Sequence, residues 1–351
     1  MADRFDIVVI GAGPAGSFAA KTAAEKGARV LLLEEHHLIG KPRHCPGWLV
    51  GMEFTERLVE TLQNRMPIQK VHGFQFCDTA SGEIVEVPDT GWGGYIVNRQ
   101  LFDHEIALMA LEAGARISIN TRAVELIKEG DRTVGVRTNS KRLPEILSDV
   151  VVCADGIRSL SSGFGKKELL SGEEDYFSAV SIELTGAKGL NPGTIECYVG
   201  PDRALSGRSL WPRSERSCMI AVPNINEFRE LQARDDNVLS RRIKDAQVVR
   251  VEGFFCRVNV GRFCERVSKK GILFVGDASG NHGIIHGMIS ACYGANAAVS
   301  AVREKNPDLL ENYDHTLRTS GIYKTPFCWG EMRKGHEPFR DFVEPMKDIQ
   351  V

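Results

Sequence analysis

The first thirty-five residues constrain the fold most strongly. Residues 5–35 read FDIVVIGAGPAGSFAAKTAAEKGARVLLLEE. An apolar run is followed by glycines in the spacing GxGxxG, by an alanine-rich stretch and by a second apolar run that ends in Glu34. This order predicts a strand, a tight turn, a helix and a second strand, as in a parallel sheet buried on both faces.

The glycines and the terminal acid predict a dinucleotide site. Gly11 permits the turn, Gly13 lets the backbone approach a pyrophosphate, and Gly16 lets the helix pack on the strand. The helix amino terminus offers N–H groups to the phosphates. Glu34 lies 23 positions after Gly11, where an acid accepts hydrogen bonds from a ribose. The alternative is a purely structural glycine turn. A carboxylate here favours FAD or NAD over NADP, and Glu35 is either a second ribose ligand or a surface neighbour.

Later segments repeat the pattern of a strand ending in an acid. One apolar run leads into Asp155-Gly156 and another, GILFVGDA, ends in Gly276-Asp277, both at positions where ligands collect in open α/β sheets. Between residues 98 and 114 the apolar period predicts a helix. On that helix Arg99 and Asp103 share a face, a spacing that is usually a surface ion pair.

In this order the motifs resemble the flavoprotein family with the p-hydroxybenzoate hydroxylase fold, over about residues 5–300. The resemblance implies FAD as the cofactor, with Asp277 at its ribityl or ribose part and Arg99 near its pyrophosphate. The chain shows no second GxGxxG for a resident nicotinamide nucleotide. The predicted FAD-binding residues are Gly11, Gly13, Pro14, Ala15, Gly16, Glu34, Glu35, Arg43, His44, Cys45, Arg99, Ala123, Asp155, Gly156, Gly276, Asp277, Gly287, Met288 and Ile289.

The loop after the second strand, IGKPRHCPGWL at 39–49, resembles that of geranylgeranyl reductases, although its Pro-Gly-Trp segment departs from their pattern. The resemblance places Cys45 towards the flavin or the substrate. Arg43 and His44 would then raise the thiolate fraction, neutralise a substrate carboxylate or supply a proton. Alternatively, Cys45 is an inert small hydrophobe and His44 lies on the surface. A metal site is disfavoured because His36-His37 lacks ligand spacing.

The segment after Asp277 corresponds to the family's flavin turn. Ile284 stands where the family has Pro, Gly287 matches its first Gly and Ile289 replaces its second. A helix is predicted from about Met288 to Val302, and its amino terminus would stabilise negative charge on the flavin. His282 and His286 lie outside the family pattern; they are either solvent-exposed or proton donors. The predicted catalytic residues are Cys45, His286, His282 and His44, with no metal.

The predicted fold class is α/β: a Rossmann-like FAD-binding domain with a parallel sheet, plus a substrate domain with an antiparallel sheet. The FAD-binding domain comprises 1–75, 95–165 and 265–305, the substrate domain 76–94 and 166–264, and a helical tail 306–351. In the substrate domain Trp211-Pro212 matches a Phe-Pro of the reductases, but Gly207 and Ser209 replace their aromatic residues. Arg208 and Arg213 predict either an anionic substrate group or solvated arginines.

Composition and charge limit the classes of partner that this chain is expected to have. A net charge of −2 over 351 residues gives no footprint for nucleic acid. Nine cysteines without a CxxC pair, and no secretory signal, predict a thiol-reduced cytoplasmic protein. No apolar run reaches the roughly 18 residues that cross a bilayer, which leaves peripheral membrane contact open.

The motifs together predict an FAD-dependent oxidoreductase that reduces a C=C bond of an isoprenoid-like or other apolar or anionic small molecule. An external donor, ferredoxin or NAD(P)H, would supply electrons. One alternative is an aromatic monooxygenase on the same fold. The other is a protein that uses FAD without catalysis.

Overall fold

The computed structural model describes residues 3–42, 45–88, 93–158, 176–202, 204–257, 266–280 and 283–321. The strands are, in chain order, β1 (Asp3–Ile10), β2 (Val30–Leu33), β3 (Trp48–Val50), β4 (Ile68–Val71), β5 (Gly73–Asp78), β6 (Ile84–Pro88), β7 (Gly94–Val97), β8 (Arg116–Ser118), β9 (Ala123–Glu129), β10 (Arg132–Thr138), β11 (Glu145–Cys153), β12 (Tyr176–Thr185), β13 (Thr194–Val199), β14 (Ser209–Pro212), β15 (Ser217–Val222), β16 (Gln247–Arg257), β17 (Ser268–Lys269) and β18 (Ile272–Phe274). The helices are α1 (Pro14–Glu25), α2 (Glu53–Leu62), α3 (Arg99–Glu112), α4 (Ile225–Ala233), α5 (Val238–Ile243), α6 (Ile284–Arg303) and α7 (Glu311–Thr319). Within these ranges no helix is long and apolar enough to span a membrane.

The chain divides into two compact units. The first unit contains residues 1–41, 100–175 and 260–324, and the second contains 42–99, 176–259 and 325–351. The largest differences from the predicted domains concern residues 42–75 and the predicted tail. Residues 42–75 group with the second unit because β3 and β4 both pair with β7. Part of the predicted tail belongs to the first unit, where the Tyr313 hydroxyl donates to the Phe274 carbonyl at 2.9 Å.

The first unit is built on a sheet with the strand order β17-β18-β11-β1-β2-β8, and β10 and β9 extend it from β11. The strands from β18 to β8 run parallel. Residues 7–10 of β1 and all of β2 are buried apolar runs, as their sequence predicts. The last residues of the five parallel strands stand in register across the sheet: Phe274, Cys153, Ile10, Leu33 and Ser118. Everything that follows these strands therefore leaves the sheet at one edge.

Helix α6 begins at Ile284, four residues before the predicted start. Gly283, with φ of +109°, occupies the N-cap position, so the chain enters the helix as soon as the preceding turn allows. A Cβ on Gly294 would lie 2.8 Å from a Val275 methyl carbon, so this glycine lets α6 approach the sheet closely. The helix ends at Arg303, one residue after its predicted end, and Lys305 (φ +51°) follows it.

The second unit contains a seven-stranded sheet in the order β16-β12-β15-β14-β13-β5-β6 and a three-stranded sheet in the order β3-β7-β4. The larger sheet is antiparallel, as predicted, except that β13 pairs with β5 in parallel. One apolar cluster joins this sheet to α4 and α5 through Phe228 and Ile243. A second joins it to the smaller sheet, where Trp48 meets Phe74 edge to face at 5.6 Å.

A buried ion pair lies within the second unit. Glu196 on β13 is fully buried, and its Oε2 accepts a hydrogen bond from the Tyr198 hydroxyl at 2.9 Å. The Nε of Arg242 is also 2.9 Å from Oε2, but its N–H is not directed at that oxygen, and Oε1 has no hydrogen-bond partner. Burial raises the pKa of Glu196, while Arg242 and Tyr198 lower it by less. The carboxylate is therefore only partly compensated.

The raised pKa of Glu196 predicts how stability depends on pH. A group whose pKa is higher in the folded state stabilises the fold fully below its unfolded pKa, and this stabilisation is lost as pH rises through the folded pKa. Relative to wild type, Glu196→Gln should therefore gain unfolding free energy as pH rises above 4.5, the ordinary pKa of the group. Urea unfolding of both proteins at about pH 5 and about pH 8 measures this. A difference that stays constant between the two pH values would contradict it.

Candidate functional site

Four turns that carry predicted ligands leave the parallel sheet at the same edge. The residue after each of four strands still pairs with the neighbouring strand end. These main-chain N–H groups donate to carbonyl oxygens at 2.8–2.9 Å: Gly11 to Leu33, Ala154 to Ile10, Val275 to Cys153 and Glu34 to Ser118. The structure thus places Gly11, Glu34, Asp155 and Gly276 along one edge, as the sequence predicts for parallel strands.

The GxGxxG segment after β1 contains two glycines, Gly11 and Gly16, that the packing of the protein requires. The packing does not require its remaining glycine, Gly13. Gly11 has φ of +94°, and a Cβ there would lie 2.6 Å from the Ala154 carbonyl oxygen. A Cβ on Gly16 would lie 1.8 Å from the Gly11 oxygen. By contrast, a Cβ on Gly13 would meet nothing within 4 Å. Space is therefore open at the amino terminus of α1, where N–H groups and the helix dipole favour a phosphate.

The amino-terminal turns of α1 and α6 meet at the turn after β18. A Cβ on Gly276 would lie 2.9 Å from the Cβ of Ala15, and one on Gly287 would lie 3.4 Å from the Cα of Gly276. Ser290 fixes this approach, because its Oγ accepts from Gly276 N–H at 2.9 Å and donates to the Gly287 carbonyl at 2.7 Å. Two helix amino termini therefore face one region of the edge, which suits an anionic group. Ser290 was not predicted, since a serine inside a helix gives no local signal.

Glu34 is held at the far side of this edge. Its Oε2 accepts from Ala12 N–H at 2.9 Å, and its Oε1 accepts from His36 N–H at 3.0 Å. The Nδ1 of His36 lies 2.6 Å from Oε1. Glu35 is more exposed, and its carboxylate lies 3.5 Å from Nε of Arg122. The contact between His36 and Glu34 was not predicted from the sequence, where His36 was weighed only as a metal ligand.

The remaining predicted flavin ligands of the first unit lie after β11, in the first turns of α6 and at the start of β9. Asp155-Gly156 follows β11 directly, and a Cβ on Gly156 would meet nothing within 4 Å. Met288 and Ile289 are buried in the first turns of α6. Ala123 begins β9, and its side chain belongs to the apolar core. An open phosphate position, a buried acid and two helix amino termini along one edge fit a dinucleotide.

Predicted residues also lie in the second unit and outside the described ranges. Cys45 is half-buried, and its Sγ accepts from Gly47 N–H at 3.4 Å. Gly47 (φ +92°) packs its backbone against Val97, where a Cβ would lie 2.1 Å from the carbonyl oxygen. Arg99 is the first residue of α3. The predictions for Arg43, His44 and His282 fall outside the described residues.

His286, the fourth predicted catalytic residue, lies in the first turn of α6 and is half-buried. A Cβ on Gly283 would lie 3.2 Å from its Nδ1, so the glycine turn leaves room for the ring. Its catalytic role stays a prediction.

Five of the other cysteines are poor nucleophiles. Burial raises the pKa of Cys77 and of Cys218 to about 12, and burial likewise raises the pKa of Cys153, Cys197 and Cys292. A thiol held protonated neither attacks nor binds metal. Cys45 therefore keeps the sequence-based assignment as the candidate reactive thiol.

The two arginines weighed as anion ligands already have carboxylate partners. Arg208 is buried, and its Nη2 donates to Glu227 at 2.9 Å. Arg213 donates to Glu183 at 3.2 Å. Neither arrangement matches the solvated surface arginines of the alternative, because Arg208 pairs with a carboxylate on α4 and Arg213 with one on β12.

Comparison with known proteins agrees with this geometry. The family model described as FAD dependent oxidoreductase matches residues 6–155. The digeranylgeranylglycerophospholipid reductase of Methanosarcina acetivorans is 31% identical over 318 residues, which cover 86% of this chain and 77% of the reductase.

Among solved structures, a geranylgeranyl bacteriochlorophyll reductase-like protein of Thermoplasma acidophilum has a TM-score of 0.81 at 18% identity, over 100% of this chain and 93% of the other. A probable FAD-dependent monooxygenase from Pseudomonas aeruginosa has a TM-score of 0.65 at 18% identity, over 92% and 94% of the two chains. At this identity the structural likeness concerns the fold alone. Because the Methanosarcina relative spans most of both chains, this protein belongs to the geranylgeranyl reductase family of FAD-dependent oxidoreductases.

Proposed function

We propose that this protein reduces C=C bonds of an isoprenoid lipid, with an external ferredoxin or NAD(P)H as the source of electrons. The observation that carries the proposal is the 31% identity to a digeranylgeranylglycerophospholipid reductase over 86% of the chain. A match of this extent includes residues of both compact units and is not limited to the nucleotide-binding motifs. The C=C bond of an isoprenoid chain is the group that a reductase of this kind would act on.

Different residues of this chain would bind the cofactor and donate the proton. When bound in its reduced form, FAD would supply the hydride for one carbon of the C=C bond. The open position at Gly13 and the Glu34 carboxylate would bind the nucleotide, and the amino terminus of α6 would stabilise negative charge on the flavin. The other carbon needs a proton, for which Cys45 and His286 are the proposed donors among the described residues. His44 and His282 remain sequence-based candidates for the same role.

The proposal is tested with photoreduced protein under argon. Adding a digeranylgeranyl glycerophospholipid should reoxidise the flavin, and the product should gain two hydrogen atoms for each reduced bond by mass spectrometry. The matched control is the same lipid with saturated chains, which should leave the flavin reduced. Photoreduction avoids any assumption about the donor, whose identity follows from comparing flavin reduction by ferredoxin and by NAD(P)H.

The aromatic monooxygenase is the second candidate, favoured by the likeness in fold to a probable monooxygenase. It requires O₂, so turnover under argon would exclude it. Failure of the lipid to reoxidise the flavin, together with NAD(P)H-driven O₂ consumption that an aromatic compound stimulates, would overturn the reductase proposal. If neither compound changes the redox state of the flavin, a non-catalytic use of FAD would be supported instead.

A further inference from the structure

We propose that His36 is a positioning residue for FAD, which holds the Glu34 carboxylate in the orientation that receives the ribose. The inference concerns the cofactor and not the substrate. Loss of FAD affinity in His36 variants and absence of lipid reduction are therefore separate results.

The contact between the two side chains defines where the hydrogen lies. His36 Nδ1 and Glu34 Oε1 are 2.6 Å apart. An ionised carboxylate only accepts hydrogen bonds, so the hydrogen is on Nδ1 and the ring donates. A hydrogen bond to a charged group is among the stronger ones in proteins, and this one is short. The ring therefore restrains the carboxylate rather than merely lying near it.

The donors around Glu34 leave it one open direction. Oε1 accepts both the main-chain N–H and the ring N–H of His36, and Oε2 accepts the N–H of Ala12. A carboxylate has about four lone-pair positions, so these three donors from the described part of the chain leave one, on Oε2. Ala12 lies in the glycine turn between Gly11 and Gly13, so the free position of Oε2 is beside the proposed phosphate site. A nucleotide on that turn brings its ribose hydroxyls to this carboxylate.

Main-chain hydrogen bonds also hold the segment that contains His36. The His36 carbonyl accepts from Asn120 N–H at 3.0 Å, and the Glu34 carbonyl accepts from Thr121 N–H at 2.8 Å. Asn120 has φ of +50°, a conformation that asparagine adopts more readily than most residues. The segment that contains Glu34 and His36 is thus paired with the turn after β8.

Among the described residues, the carboxylates of Glu34 and Glu35 lie near the ring of His36. Nε2 of His36 lies 3.8 Å from Oε1 of Glu35, and Glu35 lies 3.5 Å from Nε of Arg122. The side chain of His36 is 42% exposed, whereas that of Glu34 is 11% exposed. The ring thus lies between a buried carboxylate and solvent. His37, the next residue, is exposed and provides a matched control for replacing a histidine on this segment.

The test is equilibrium binding of FAD to apoprotein, followed by the change in flavin fluorescence. His36→Leu removes the ring donor and should weaken FAD binding about 10-fold, the effect of one hydrogen bond to a charged group. His36→Asn places an amide N–H near the position of Nδ1 and should bind FAD within about 2-fold of wild type. His37→Leu should bind as wild type does.

A double-mutant cycle separates positioning from general damage. If His36 acts through Glu34, His36→Leu should have no further effect in the Glu34→Ala background. Circular dichroism and the melting temperature of each apoprotein identify a variant that fails to fold. Wild-type affinity in His36→Leu, equal weakening in His36→Asn and His36→Leu, or an undiminished effect in the Glu34→Ala background would each overturn the proposal.

Discussion

An aspartate at position 13 is expected to remove FAD from the protein without unfolding it. A Cβ at Gly13 meets no protein atom within 4 Å, and the residue has φ of −70°, which any L-residue adopts. Aspartate is moreover a favourable N-cap residue, so α1 should tolerate Gly13→Asp. The same side chain fills the space that the structure leaves for a pyrophosphate and repels its charge. FAD affinity should fall by two orders of magnitude, about 2.7 kcal/mol.

The visible absorbance of flavin retained after desalting measures this result, and the melting temperature of the apoprotein controls for folding. Gly16→Ala is the contrasting variant, because its Cβ would lie 1.8 Å from the Gly11 oxygen and 3.0 Å from the Ala154 Cβ. Such overpacking should cost about 3 kcal/mol of unfolding free energy. If Gly13→Asp remains yellow, or melts as early as Gly16→Ala, the assignment of Gly13 to the phosphate position is wrong.

The second large effect is expected in the other compact unit, at Arg242. Arg242→Ala leaves the fully buried Glu196 with the Tyr198 hydroxyl as its described partner. Breaking a buried pair from one side costs about 3–5 kcal/mol of unfolding free energy. The loss should be greater at about pH 8 than at about pH 5, because the Glu196 pKa is raised and the carboxyl is neutralised more readily at the lower pH.

Urea unfolding provides the measurement, and the double variant Glu196→Gln/Arg242→Met provides the control. Removing both charges while keeping side-chain volume should recover at least half of the loss. A loss below about 1 kcal/mol in Arg242→Ala, or a double variant as unstable as the single one, would show that the pair does not stabilise the sheet.

The parts of the site that the sequence predicted are those with a local cause. Gly11 is required locally by its φ of +94°, Gly16 is required by its close approach to the Gly11 oxygen, and Glu34 directly follows the apolar run of β2. The Asp155 and Gly276 turns could be placed at one edge because parallel strands bring their carboxyl ends together. In each case a run of a few residues contains the whole signal.

Contacts between distant segments have no such local signal in the sequence. Glu196 and Arg242 are 46 positions apart, and neither residue has a neighbour in the sequence that points to the other. The parallel pairing of β13 with β5 depends on a register that periodicity does not encode. His36 is only two positions from Glu34, but its role depends on a ring rotamer and on the turn at Asn120. These features depend on the tertiary structure.

The separation along the chain between the two helix termini that meet at the strand edge has a consequence for biosynthesis. Ala15 emerges from the ribosome early, whereas Gly276 and Gly287 are made about 260 and 270 positions later. During most of its synthesis, a nascent chain therefore contains only the amino terminus of α1 and not that of α6. FAD is then expected to bind at the end of translation or after release from the ribosome. A ligand that binds only the completed fold stabilises that fold. The FAD concentration in the cell would therefore influence how stably α6 packs against α1.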